Sequence, residues 1–322
     1  MSLTIDYESA GFPKGAPVAN GHGTLAVTWD DLLWAAITVG RPNRHYVFKY
    51  GRASRYEALF RWSMMRMALE QSGPRARRLR RTELARRLDP TEKGAVNYFL
   101  GLAIAKLMAD RLLDAPWMLH LDVFGSKLSA VLKGRSRPDL VGETLAGEGI
   151  ALECKGRLSV PYKKAKDKAK AQAQRIVSIR GYPPKYQIGA ITYFKKDVLK
   201  FYWQDPEVDP NIKNAIKVEF ESEDVWRHYY QPILDLVQAN ASYLARMREE
   251  ECLMPVPHAD VQIGIRPRVL NRLLDAKWAD ARKSVRGSDN SSSIIGYRTD
   301  GIAVIAGESW KLPFEGDQGS DG

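Results

Sequence analysis

Apolar and polar positions along the chain change period several times, and each change marks an element. Residues 1–23 are rich in Gly and Pro and are expected to form an irregular lead-in. Thr28 with Asp31 three places on can then cap a helix carrying Leu32, Leu33, Trp34 and Ile37. Ser54 and Glu57 repeat that pattern ahead of ALFRWSMMRMALEQ, a second helix stopped by Gly73-Pro74, with Met64, Met65 and Met67 as core filler. Asp89-Pro90-Thr91-Glu92 is a third start, with an N-cap carboxylate, a proline and an acid in the first turn. Val96, Phe99, Leu100, Ala103, Ile104, Leu107 and Met108 follow at steps of three and four, one apolar stripe running toward Leu113.

The period then falls to two. WMLHLDVF (117–124) places Leu119, Leu121 and Val123 on one face, and Gly125-Ser126-Lys127 can turn it into LSAVLKG, a hairpin. RPDLVGE continues extended, and the turn Ala146-Gly147-Glu148-Gly149 precedes IALECKG, a third strand. A helix is expected from Ser159 and Pro161 through KKAKDKAKAQAQRIVSI to Gly181. YQIGAITYF and VLKFYW then form a hairpin around Lys195-Lys196-Asp197, and a helix should run from Ser222 to about residue 249. The predicted order is α-β-β-β-α-β-β-α. Beyond 251 come a short helix around VLNRLLDAKW, a polar GSDNSSS loop and two candidate strands, IIGYR and GIAVIAG; the acidic tail FEGDQGSDG is expected to be disordered.

Composition adds little to this until charge is considered. At 322 residues and 44% hydrophobic the chain can bury a full core, which excludes wholesale disorder. Its two cysteines, Cys154 and Cys252, exclude a disulfide framework, and no Cys or His spacing suggests zinc. The five histidines are scattered and read as structural or solvent-facing. The start, MSLTIDYESAGFPKG, has no basic segment followed by an apolar stretch, and no run of eighteen apolar residues occurs, so a soluble cytoplasmic protein without membrane association is expected. The net charge of +11 favours a polyanionic partner such as nucleic acid. RARRLRRTELARR (75–87) carries seven arginines that could follow a phosphate backbone or simply form a solvated helix face.

Residues 136–156, SRPDLVGETLAGEGIALECKG, place charge where a strand looks buried. In an extended strand Ile150, Leu152 and Cys154 point one way, while Ala151, Glu153 and Lys155 point the other. Cys154 then reads as a small buried hydrophobe rather than a nucleophile. If Pro138-Asp139 lies on the neighbouring strand, two carboxylates meet an ammonium. Such a pair suits a hard divalent cation that completes its shell with water and phosphate oxygens. The bland alternative is a structural ion pair at a sheet end. Asp275-Ala276-Lys277 has the same acid-x-Lys form but falls in an expected helix, without a Pro-Asp partner.

Pro138-Asp139 followed by Glu153-Cys154-Lys155 resembles the signature of the PD-(D/E)xK nucleases, the restriction-endonuclease-like superfamily. The likeness covers about residues 89–203. It implies an α/β fold with an αβββαβ core, a central mixed sheet flanked by helices. The expected division is a mainly helical N-terminal extension at 1–88, the nuclease-like core at 89–250 and a small α+β C-terminal extension at 251–322. The resemblance implies a Mg²⁺-dependent deoxyribonuclease, with Mn²⁺ as a possible substitute, acting as an endonuclease of restriction, anti-phage defence or repair. Asp139 and Glu153 would hold the metal together with the Cys154 main-chain carbonyl, and Lys155 would orient the attacking water. A third acid from the first core helix occurs in many members, and Glu92 or none could fill it; capping explains Glu92 equally well. Lysines 163, 164, 166, 168 and 170 would lie near the substrate, a nucleic acid for which DNA is favoured over RNA. A homo-oligomer or larger complex stays open, as does a catalytically silent nucleic-acid-binding subunit.

Overall fold

The computed structural model describes residues 3–39, 52–71, 77–121, 137–205, 207, 212, 214–219, 222–286 and 295–312. The chain opens with two antiparallel strands, β1 (Leu3–Ala10) and β2 (Gly21–Val27), not with an irregular lead-in. Leu3 and Ile5 alternate into the core beside Leu25 and Val27, while Gly11, Pro13, Gly15 and Pro17 are confined to the connection. Helix α1 (Trp29–Thr38) has the expected capping box: Asp31 N–H donates to Thr28 Oγ1 at 3.2 Å, and Thr28 N–H to Asp31 Oδ2 at 2.6 Å.

Helix α2 (Arg52–Ala68) ends three residues before the expected Gln71, because Leu69–Gln71 turns into strand β3, antiparallel to β4 (Leu79–Arg81). The short α3 (Glu83–Arg87) follows. The 1–88 segment, expected to be mainly helical, therefore also supplies four strands. The arginine run is no single helix, and Arg78, Arg80, Arg81, Arg86 and Arg87 are spent on ion pairs. Arg80 meets Glu70 at 2.9 Å, Arg81 meets Asp197 at 2.6 Å, and Arg87 meets Glu83 at 2.6 Å.

Helix α4 (Pro90–Leu113) starts where Asp89 accepts from Thr91 N–H at 2.7 Å and stops at Asp114, whose φ of 51° is left-handed. Three strands follow: β5 (Trp117–His120), β6 (Leu140–Glu143) and β7 (Gly149–Arg157), paired antiparallel in sequence. The expected strand LSAVLKG and its turn lie outside the described residues. Helix α5 (Lys163–Ala173) is shorter than expected. The β-branched Ile176-Val177 leaves it to form β8 (Ile176–Ile179), which later pairs in parallel with β11 (Ile216–Val218). Strands β9 (Tyr186–Lys195) and β10 (Val198–Gln204) form the expected hairpin through Lys196 and Asp197, both left-handed.

The expected long helix from 222 is interrupted. It divides at Asn240 into α6 (Ser222–Gln238) and α7 (Ala241–Glu249), Asn240 capping the second through Tyr243 N–H. Then come β12 (Met254–Val256), β13 (Val261–Ile265), α8 (Pro267–Leu274), α9 (Trp278–Arg286) and β14 (Ile302–Ala306). The last strand matches GIAVIAG; the described part of IIGYR is not a strand. The tail and the GSDNSSS loop lie outside the described residues.

The result is a mixed α/β architecture. The central sheet runs β2-β1-β10-β9-β7-β6-β5, with β4 and β3 attached beside β10, and helices cover both faces. The parallel contacts are β1 with β10 and β7 with β9. Helix α4 covers the face to which Cys154 and Gly156 point; a methyl group on Gly156 would overlap the Asn97 carbonyl. Helix α5 covers the opposite face, where a Cβ on Gly189, the register partner of Glu153, would come 2.8 Å from Lys170 N.

A buried polar knot ties the ends of the chain to α4. Asp300 Oδ2 accepts from Trp34 Nε1 at 2.9 Å and from Tyr229 OH at 2.6 Å, and Oδ1 accepts from Ile302 N–H at 2.9 Å. Lys106, fully buried, donates to Tyr229 OH at 2.8 Å and Thr38 O at 3.1 Å. Burial pulls its ammonium down, opposed by Asp300 and Asp110. Nearby, the Arg282 guanidinium stands 4.8 Å from the Trp117 ring and 4.6 Å from the Trp226 ring, and 3.1 Å from Glu143, so α9 is anchored on β5 and β6.

Candidate active site

Asp139 sits one residue before β6, and Glu153 and Lys155 lie in the second half of β7. Leu140 pairs with Leu152, so position 139 falls opposite 153. The structure therefore brings the three expected residues together. The Cys154 N–H donates to Asp139 Oδ2 at 2.8 Å. The Asp139 and Glu153 carboxyls lie within hydrogen-bonding reach of each other, and the Lys155 ammonium forms an ion pair with Glu153.

Glu153 shares its side of the strand with Lys155 but is 0% exposed, because α5 closes over that face of the sheet. Lys155, two residues on, keeps 38% of its side chain exposed. Cys154 is buried and free, as its apolar face requires, and burial raises its thiol further from reactivity.

The electrostatics follow from this packing. Burial, reinforced by Asp139, pushes Glu153 up to about 8. Burial also raises Asp139, against the Cys154 N–H bond and Lys155, which favour its charged form. For Lys155 burial works downward, but the Glu153 and Asp139 carboxylates outweigh it and raise the ammonium above its usual value. A lysine held charged in this way can orient water and neutralise developing anionic charge; it is poorly placed to remove a proton.

The residues fit a divalent cation. When both are ionised, the two buried carboxyls carry more negative charge than one ammonium offsets. Beyond that ammonium and the Asp139 carboxyl, Glu153's oxygens have no hydrogen-bond partner among the described residues. A hard ion with oxygen ligands would relieve both deficits. Asp139 and Glu153 are the side-chain donors, and the Cys154 carbonyl is the main-chain donor on the same strand. Among the described residues no set of three His, Cys, Asp or Glu groups is disposed to hold an ion, so water or substrate oxygens would complete the shell.

Glu92 is not brought into the site. It is exposed in the first turn of α4, its N–H turned to Asp89 at 3.4 Å. Tyr98 lies six residues on, roughly 9 Å of helix rise, and the charges of Asp139 and Glu153 act on its phenol, which burial first of all holds far above its usual value. The Tyr98 hydroxyl meets His120 Nε2 at 2.7 Å. Burial, with Arg61 and Arg137, pulls this imidazole down to about 4, so it is neutral. The sequence reading missed both residues. The available signal was weak: Tyr98 interrupts the apolar stripe of α4, and His120 ends β5 one strand from Asp139.

Among the lysines of α5, Lys163, Lys164 and Lys168 are exposed, while Lys166 turns inward, 3.6 Å from the Tyr202 ring centroid and 3.6 Å from Glu8. Asp275 and Lys277 form an exposed pair at 3.8 Å after α8. Among the described residues no helix is long and apolar enough to cross a membrane. Comparison with known proteins finds no family model, no curated protein and no solved structure that matches this chain.

Proposed function

We propose that this chain is a divalent-metal-dependent deoxyribonuclease of the PD-(D/E)xK type, an endonuclease serving restriction, anti-phage defence or repair. One observation carries the reading. Asp139, Glu153 and Lys155 converge on adjacent antiparallel strands within an α-β-β-β-α-β succession whose third and fourth central strands run parallel. That succession, α4-β5-β6-β7-α5-β9 once β8 is set aside as part of a separate two-stranded sheet, matches the core the resemblance implies.

Asp139 and Glu153 would hold Mg²⁺, or Mn²⁺ in its place, with the Cys154 carbonyl. The ion would supply acidification of water and neutralisation of charge at phosphorus. Lys155 positions the attacking water and offsets charge growing on the phosphoryl oxygens. Asp139 accepts from the Cys154 N–H, which ties it to the strand that carries Glu153. The test is cleavage of supercoiled plasmid, linear duplex, single strand and RNA with and without Mg²⁺. Asp139→Asn and Lys155→Ala should each lower cleavage by at least about 10²–10³-fold while nucleic-acid binding in EDTA persists. Unchanged cutting by either variant would sink the assignment.

A second reading, a nucleic-acid-binding subunit that performs no chemistry, draws support from the complete burial of Glu153. Calorimetry separates the two: this reading gains if Mn²⁺ binding does not depend on Asp139 and Glu153.

A further inference from the structure

On the face of the sheet that carries Glu153 and Lys155, cross-strand partners form continuous rows. One runs Lys155, Ile191, Tyr202, Glu8, His22. The next, two residues along each strand, runs Arg157, Tyr193, Lys200, Asp6, Thr24. Helix α5 roofs the first row: Ala169 packs with Ile191 and Tyr202, and Gln204 Nε2 donates to Lys166 O at 2.9 Å. Over the second row the roof ends, and a groove of about 580 Å³ opens on Tyr193, Lys200, Asp6 and Thr24, with Lys195 and Lys196 at its rim.

We propose that this groove holds a single-stranded nucleic-acid segment leading away from the phosphate at Asp139, Glu153 and Lys155. The inference rests on the nuclease reading of that site for its direction, and on the groove's own chemistry for its ligand. Lys195 and Lys196 are exposed and have no carboxylate partner among the described residues. Asp6 is satisfied by Lys200 and by Thr24 Oγ1 at 3.1 Å, and Glu8 by Lys166, so the two acids of the groove are already neutralised. What remains is cationic. Tyr193 is half-buried in the floor, an aromatic surface on which a base can stack only if it is unpaired. A duplex keeps its bases inside and offers that ring nothing. The volume is that of a small-ligand site, within the range of about 300–1,000 Å³, rather than a duplex channel. Lys155 and Tyr193 are one strand and two residues apart, roughly 8 Å between Cα positions, which is about two nucleotides of stacked chain.

The test measures fluorescence anisotropy of a short labelled single strand and its duplex against the full chain in EDTA, alongside Mn²⁺ calorimetry and plasmid cleavage. Lys195→Glu with Lys196→Glu should weaken single-strand binding by about tenfold or more and reduce the salt slope by about 1.4, two phosphates at about 0.7 each. Tyr193→Leu should weaken it about tenfold while duplex affinity stays within twofold or so. Both variants should keep wild-type Mn²⁺ binding, which shows that they are folded. Unchanged single-strand affinity in a chain that still cuts DNA overturns the groove and leaves the Asp139 site standing. Equal losses for single strand and duplex in Tyr193→Leu overturn the single-strand assignment. A chain that binds single strands through these residues, yet neither binds Mn²⁺ nor cuts, overturns the nuclease reading alone.

Discussion

The N–H of Cys154 donates to the Asp139 carboxylate at 2.8 Å, so the strand that carries Glu153 and Lys155 also fixes the acid across from them. Two carboxyls are thereby held together, so ionising one raises the cost of ionising the other.

The first expected consequence is a pH dependence. Glu153 has a folded-state value of about 8, above its ordinary 4.5. The native state therefore binds the extra proton, so Glu153's own contribution to stability is fully present below its ordinary value and is lost as pH rises through about 8. The loss amounts to roughly a few kcal/mol. Urea denaturation across that range should show the decline in wild type and a flattened profile in Glu153→Gln; a Gln variant with the wild-type slope would refute the assignment of that proton.

Cations should reverse this cost. At pH 8 and above, Mg²⁺ or Mn²⁺ should raise the midpoint of thermal unfolding by mass action, and the gain should shrink as pH falls and the carboxyls protonate. Asp139→Asn should abolish the shift. Differential scanning calorimetry with and without metal measures it directly.

Gly156 sits where α4 crosses β7, and a side-chain carbon there would overlap the Asn97 carbonyl. Gly101, on the helix side of the same crossing, would place its own Cβ 2.9 Å from Gly156 N. Gly156→Ala should destabilise the fold by about 1–3 kcal/mol or more, and by displacing Lys155 it should lower cleavage beyond the loss of folded protein. Kinetics normalised to the folded fraction, read from urea curves, test the second part.

Lys106 and Asp300 are mutually dependent. Lys106 is fully buried between the Trp34 and Tyr229 rings, and its charge is supported by Asp300. Asp300→Asn should cost about 3–5 kcal/mol, because it takes from a buried ammonium the larger of its two counter-charges, leaving Asp110 alone. Lys106→Met combined with Asp300→Asn should recover a large part of that loss, a non-additivity that a double-mutant cycle by denaturant titration resolves. Additive losses would show that the two residues act separately.

Much of this arrangement follows from local pattern. The caps at Thr28 and Asp89, the apolar stripe of α4 and the hairpin at Lys196-Asp197 depend on residues within a turn or two of each other, and they form as their chemistry dictates. Where local signals competed, tertiary pairing decided. Residues 1–23 contain enough Gly and Pro for a loop, yet Leu3 and Ile5 find buried partners and β1 joins β10. Ile176–Ile179 continues a helical sequence, yet pairing with β11 draws it into a strand.

The candidate site divides the same way. The two-residue period of β7 by itself put Glu153 and Lys155 on one side and Cys154 on the other, since alternation is a property of the extended backbone. What lies over each side was decided only by the fold. Helix α5 buries Glu153 completely and leaves Lys155 partly open, α4 brings Tyr98 against His120 of β5 and within reach of the Asp139 charge, and β1 and β2 extend the lysine's face into a groove. A sequence period tells which way a side chain points; the packing of elements distant along the chain determines what it meets there.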